Sequence, residues 1–146
     1  MINKTVLIVE RDPKEAETIL TFFREHNFSN RIEIVHTKQE ALDFIFETGI
    51  YSKRENHETP GLILLDLLTN MTPDIKILKP LQSYLRTQNI PIIILTSSKE
   101  QERQLGEYGL EGAIGFIRKP LSITSFIETI QHMGSDCKGT EKIKRR

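Results

Sequence analysis

A chain of 146 residues has room for one ordinary domain and not for two, since single domains run to roughly 100–200 residues. Twenty Lys and Arg against 20 Asp and Glu cancel to zero formal charge, which excludes the strong basic field of a dedicated nucleic-acid binder. The single cysteine, Cys137, excludes an intrachain disulfide, and no apolar run approaches the ~18 residues of a membrane span.

The chain opens on Thr5-Val6-Leu7-Ile8-Val9, a continuous apolar run that suits a strand covered on both faces. Asp12-Pro13-Lys14-Glu15 then starts a helix, with Asp12 as N-cap, Pro13 as first helical residue and Glu15 as capping-box partner. Ala16, Ile19, Leu20 and Phe23 follow at helical spacing and predict one buried face. Arg31 to His36 reads as a second strand nearer a sheet edge. Thr37 and Glu40 form a second capping box, Ala41, Leu42 and Ile45 make the stripe, and Gly49 ends the helix. Residues 50–60 are polar and without period, and predict an exposed loop.

Gly61 to Asp66 is a wholly apolar strand that stops on a carboxylate. Thr72-Pro73-Asp74 opens a third helix carrying Ile75, Leu78, Leu81 and Leu85, which Pro80 must kink or start afresh. Ile90 to Leu95 is another buried strand, followed by Thr96-Ser97-Ser98. Lys99 to Tyr108 is a polar helix with few anchors. Ala113 to Arg118 is a fifth strand ending in Lys119-Pro120, where a cis proline would fix the direction of the lysine. Ser122 caps a last helix with Phe126, Ile127, Ile130 and Met133 inward. Residues 1–133 are thus one domain, and 134–146 form a polar, basic tail.

Five alternating units predict an α/β fold: a doubly wound, flavodoxin-like, five-stranded parallel sheet of order 2-1-3-4-5 with helices on both faces. In such a sheet, function gathers at the carboxyl ends of the strands. Reading those ends off places Glu10, Arg11 and Asp12 after strand 1, Asp66 after strand 3, Thr96 after strand 4 and Lys119 after strand 5. A carboxylate, a hydroxyl and an ammonium in one crevice suit phosphoryl transfer onto Asp66.

On these residues, from Lys4 to Met133, the chain resembles the receiver domains of two-component response regulators. The polar insert at 50–60 resembles that of stand-alone receivers that partner phytochrome-type histidine kinases. The resemblance implies that Asp66 accepts a phosphoryl group from a histidine kinase or phosphotransfer protein. It makes Thr96 the switch hydroxyl, Phe116 the switch aromatic and Lys119 the lysine that meets the phosphoryl group. Glu10, Asp66 and the backbone carbonyl of Leu68 become ligands of Mg²⁺.

The family pattern breaks at three places. Receivers carry two adjacent acidic residues after strand 1, and here the second position is Arg11, a cation where a Mg²⁺ ligand is expected, which predicts weakened or absent Mg²⁺ binding. Asn70 and Asp74 stand where the family has a proline and a glycine. Two readings therefore stay open: a phosphorylated receiver, and a pseudo-receiver in which Arg11 pairs with Asp66 or Glu10 and replaces the metal. If Mg²⁺ binds in full, Asp12 or Asp74 is the substitute ligand. An aspartate-nucleophile phosphatase fits poorly, because Leu68 occupies the position of its general acid. A flavin module fits poorly too, since the loops lack a phosphate cradle. The expected partners are a kinase, a downstream protein, and a second copy through the helix 4–strand 5–helix 5 face. Neither nucleic acid nor membrane is expected, and the chain reads as cytoplasmic, with no signal-peptide segment. His26, His36, His57 and His132 read as surface residues without metal-ligand spacing, and Lys142, Lys144, Arg145 and Arg146 as a solvated tail.

Overall fold

The computed structural model describes residues 4–28, 30–54, 58–66, 76–107 and 114–133. Five strands, β1 (Val6–Val9), β2 (Ile32–Val35), β3 (Leu62–Asp66), β4 (Ile92–Thr96) and β5 (Ile114–Arg118), pair in parallel in the order β2-β1-β3-β4-β5. The described helices are α1 (Pro13–Glu25), α2 (Lys38–Phe46), α3 (Leu78–Ser83), α4 (Lys99–Gly106) and α5 (Ile123–Met133). This is the predicted doubly wound fold.

The apolar runs follow from burial on two faces. Alternate residues of one strand point to opposite sides. Ile8, Leu64 and Leu95 pack against Ile19, Phe23 and Phe126 of α1 and α5, while Leu7, Leu65 and Ile94 pack against Phe44, Leu81 and Leu105 of α2, α3 and α4. Strand β2, at one edge, is half-buried over Ile32–Ile34, as its mixed composition predicts. On the other edge, β5 and α5 approach closely at Gly115, where a Cβ would lie 2.5 Å from Thr129 Cγ2. That close contact seats the strand that carries Lys119.

Two local expectations are corrected, the residue that ends α2 and the burial of Leu85. Helix α2 ends at Phe46, and the left-handed residue that caps it is Glu47 (φ 59°, ψ 48°), ahead of Gly49, which opens a short 3₁₀ turn over Gly49–Tyr51. In the 50–60 segment Ile50, Ser52, Lys53 and Glu58 are exposed as expected, while Tyr51 and Arg54 fold back onto α2. Tyr51 meets the Phe44 ring edge-on at 5.1 Å, and the Arg54 guanidinium lies 4.3 Å above that ring. Helix α3 begins at Leu78, so Pro80 falls within its first turn, as a fresh start there requires, where a missing N–H costs no helical bond; the expected opening at Thr72-Pro73-Asp74 lies outside the described residues. Leu85 lies beyond the end of α3 and is exposed, instead of extending the buried stripe.

Candidate phosphoryl-transfer site

The parallel register delivers the expected strand ends to one edge of the sheet: Val9 pairs with Leu65, Asp66 with Leu95, and Thr96 with Arg118. Asp66 is 2% exposed there, and Glu10 is fully buried. The Lys119 ammonium lies 2.9 Å from Asp66 Oδ1 and donates to Oδ2 at 3.1 Å. The Lys119 amide donates to the Thr96 carbonyl at 2.8 Å, tying the ends of β4 and β5 together. The peptide bond between Lys119 and Pro120 is cis.

Glu10 is held by its neighbours in the chain and by β2. Its Oε2 accepts from the Asp12 amide at 2.9 Å, and its carbonyl is bonded to His36 Nδ1 at 2.8 Å. His36 is exposed, as expected of a surface residue, yet it pins the backbone of a site residue. Burial pushes the Glu10 carboxyl up to about 8, and the neighbouring Asp66 adds to the rise, while the Asp12 amide and the Lys119 charge oppose it. Ionised, Glu10 Oε1 has no hydrogen-bond donor; protonated, it can donate to Asp66.

The expected capping box at α1 is half present. Asp12 accepts from the Lys14 amide at 3.0 Å and is the N-cap, but the Asp12 amide goes to Glu10 rather than to Glu15. Glu15 turns instead into the crevice and stands 3.9 Å from the Lys119 ammonium. It is the site residue that sequence reasoning assigned elsewhere. Its signal was its helical register: Glu15 lies four residues before Ile19 and seven before Phe22, both buried, and so shares the face that packs on the sheet. The Arg11 residue is exposed at the surface.

Among the described residues, Glu10, Glu15 and Asp66 bring one carboxylate oxygen each within 4.8 Å of one another. Glu10 Oε1 and Asp66 Oδ1 are buried without a hydrogen-bond partner. Hard oxygen donors with open lone pairs fit Mg²⁺ or Mn²⁺, and on this ground the residues present suit the ion that the receiver resemblance implies. Leu68, Asn70 and Asp74 lie outside the described residues, as do His57, Cys137 and the tail at 134–146.

Thr96 is buried, and its hydroxyl is committed away from Asp66. It donates to Glu102 Oε2 of α4 at 2.6 Å, with a longer contact to the Ile117 carbonyl at 3.4 Å. Arg118 forks onto the same carboxylate, with Nε 3.2 Å from Oε2 and Nη2 3.1 Å from Oε1. The Arg118 hydrogen bonds are the main reason the Glu102 carboxyl lies below its ordinary range. Phe116, on β5, is 37% exposed. A groove of about 890 Å³ runs from Glu15, Lys119 and Pro120 along α1 past Thr18 and Phe22.

No protein-family model matches the chain. It is 31% identical over 134 residues to the polar-differentiation response regulator DivK of Brucella ovis, covering 89% of this chain and 95% of that protein. Among solved structures it superposes on the bacteriophytochrome response regulator RtBRR with a TM-score of 0.79 and 29% identity, covering 90% of this chain and 78% of that one. The Mn(2+)-bound form of response regulator Rcp1 shares the fold, with a TM-score of 0.64 at 22% identity over 90% of this chain and 92% of that one. No helix among the described residues is long and apolar enough to cross a membrane. With the five-stranded 2-1-3-4-5 sheet and similarity to DivK over 89% of its length, the chain belongs to the response regulator receivers of two-component signal transduction.

Proposed function

We propose that Asp66 accepts a phosphoryl group from a phosphohistidine of a kinase or phosphotransfer protein, and that the domain then signals by binding a partner. The observation that carries this reading is the Lys119 ammonium 2.9 Å from a buried carboxylate at the carboxyl end of β3. An Asp66 oxygen attacks phosphorus, an O–P bond forms, and the N–P bond to the donor imidazole breaks. Asp66 Oδ1 has a lone pair free of hydrogen bonds for the attack. Lys119 moves with the charge, neutralising phosphoryl oxygens as they arrive. A bound Mg²⁺, held by Glu10, Asp66 and the Leu68 carbonyl, would supply further positive charge at the transferring group. The groove along α1 reaches Lys119, whose ammonium sits on Asp66, and so gives a donor a way toward the site.

Thr96 can bond to the phosphoryl group only by giving up Glu102, so modification at Asp66 is felt directly by α4 and Arg118. Helix α4 buries only Gln101 and Leu105 of its eight residues, and Phe116 is exposed on the adjacent strand. That thinly anchored face supports partner docking or a two-fold contact through α4, β5 and α5. The pseudo-receiver reading needs Arg11 to take the place of the ion; the three-carboxylate cluster favours a metal-assisted receiver.

The test is incubation with a small-molecule phosphoryl donor and Mg²⁺, followed by intact mass. We expect one phosphoryl increment, absent in Asp66→Asn. An unmodified wild-type chain, or an increment that survives in Asp66→Asn, overturns the reading.

A further inference from the structure

Arg11 removes one carboxylate from the position after β1, and the fold brings another to the same crevice from α1. We propose that Glu15 is the third carboxylate of a divalent-cation site completed by Glu10 and Asp66. The proposal rests on the receiver reading of the crevice and adds a ligand which that family pattern does not contain.

Geometry is the first argument. The three carboxylate oxygens lie within 4.8 Å of one another. Octahedral ligands of Mg²⁺ stand roughly 3–4 Å apart, so small side-chain rotations close the site. Partnering is the second. Glu10 is fully buried and Asp66 is 2% exposed, yet Glu10 Oε1 has no partner and Asp66 Oδ1 has only the ammonium beside it. Buried carboxylate oxygens are costly unless something positive meets them. Charge is the third. Glu15 and Asp66 share the Lys119 ammonium and Glu10 adds a third carboxyl to the crevice, so among the described residues the acidic groups outnumber the cation that meets them, and a divalent ion restores the balance.

Glu15 is also the residue free to do this. Its side chain is 42% exposed and its contact with Lys119 is a loose 3.9 Å. Asp12, the nearer alternative in sequence, is committed to capping α1 through the Lys14 amide. A glutamate reaching down from the third position of a helix replaces an aspartate on the strand-end loop, because its longer arm spans the extra distance.

The simpler reading is that Glu15 is only a surface ion pair for Lys119, which contributes little. Titration of the full chain with Mn²⁺, read by electron paramagnetic resonance of the free ion and without any phosphoryl donor, separates the two. We expect Glu15→Gln to weaken Mn²⁺ binding at least about tenfold, the low end of what losing even a supporting group costs a metal site. Glu17→Gln, an exposed change on the same helix, should bind Mn²⁺ as the wild type does. Equal affinity in Glu15→Gln and wild type, or a folded wild type that binds no Mn²⁺, overturns the proposal. Its failure is distinguishable from that of the phosphoacceptor reading. Phosphorylation of Asp66 with Mn²⁺ affinity indifferent to Glu15 sinks only the ligand assignment. A Glu15-dependent Mn²⁺ site without any phosphorylation supports the ligand assignment and sinks only the phosphoacceptor.

Discussion

The Thr96 cluster and the Asp66 cluster stand side by side at one edge of the sheet, and they handle buried polarity in opposite ways. Around Thr96, both oxygens of Glu102 are filled by the threonine hydroxyl and the Arg118 fork, and the carboxyl is stabilised as an anion. Around Asp66, two carboxylates are buried together, one ammonium serves them, and two oxygens lack hydrogen bonds. The first cluster is closed and holds a conformation. The second is open, and its missing partner is what a phosphoryl group or a cation supplies. A fold can thus carry a latch and a reactive site within one strand's width, distinguished only by whether donors and acceptors balance.

The largest effect comes from widening the imbalance. Replacing Lys119 by methionine leaves Asp66 and Glu10 buried without their ammonium. Phosphoryl incorporation should fall about 10²–10³-fold, as when one preorganised charge-stabilising donor is lost. Stopped-flow or quenched mass spectrometry reads the rate; a fall below tenfold means that Lys119 is not the group that meets the transferring oxygens.

The two clusters should also answer pH in opposite senses. The Glu10 carboxyl rises from 4.5 to about 8 on folding, so the folded chain binds its proton more tightly than the unfolded chain. Stability from this group is full below about pH 4.5 and falls as pH rises through about 8. The Glu102 carboxyl is lowered from 4.5, so its contribution is full above that value and is lost as acid takes pH through the lowered value. Urea midpoints should be lower near pH 8.5 than near pH 5 by at least about 1 kcal/mol in stability, and Glu10→Gln should abolish that difference. Excess Mg²⁺ should flatten the slope by binding the ionised site. A slope unchanged in Glu10→Gln would place its origin elsewhere.

Opening the closed cluster is a smaller perturbation. Glu102→Ala leaves the buried Thr96 hydroxyl with only its long contact to the Ile117 carbonyl. It should cost about 1–2 kcal/mol in chemical denaturation, the range for a lost acceptor at a buried donor. Arg118→Ala removes a partly exposed fork from the same carboxylate and should cost less than about 1 kcal/mol. If Arg118→Ala proves the more damaging of the two, the arginine and not the threonine is what Glu102 serves.

Much of this architecture was legible in one dimension. A parallel sheet with both faces covered writes itself as short apolar runs, and its topology sends every strand's carboxyl end to one edge. The positions of Asp66, Thr96 and Lys119 follow from where those runs stop, and the departure at Arg11 follows from its place beside Glu10. What the sequence alone could not decide is how helices rotate and which acceptor each side chain takes. Glu15 reads equally well as a cap or as a site residue until the packing of Ile19 and Phe22 turns its face of α1 toward the sheet. Glu47 caps α2 in the left-handed region two residues ahead of Gly49, which takes a second positive φ where the 3₁₀ turn opens, so the glycine alone did not mark the helix end. Thr96 and Arg118 both bond to Glu102 because α4 docks over the ends of β4 and β5, a contact between elements that no local spacing encodes. Strand ends are fixed by topology, whereas helix rotation and hydrogen-bond partnership are settled by packing, which only the assembled tertiary structure determines.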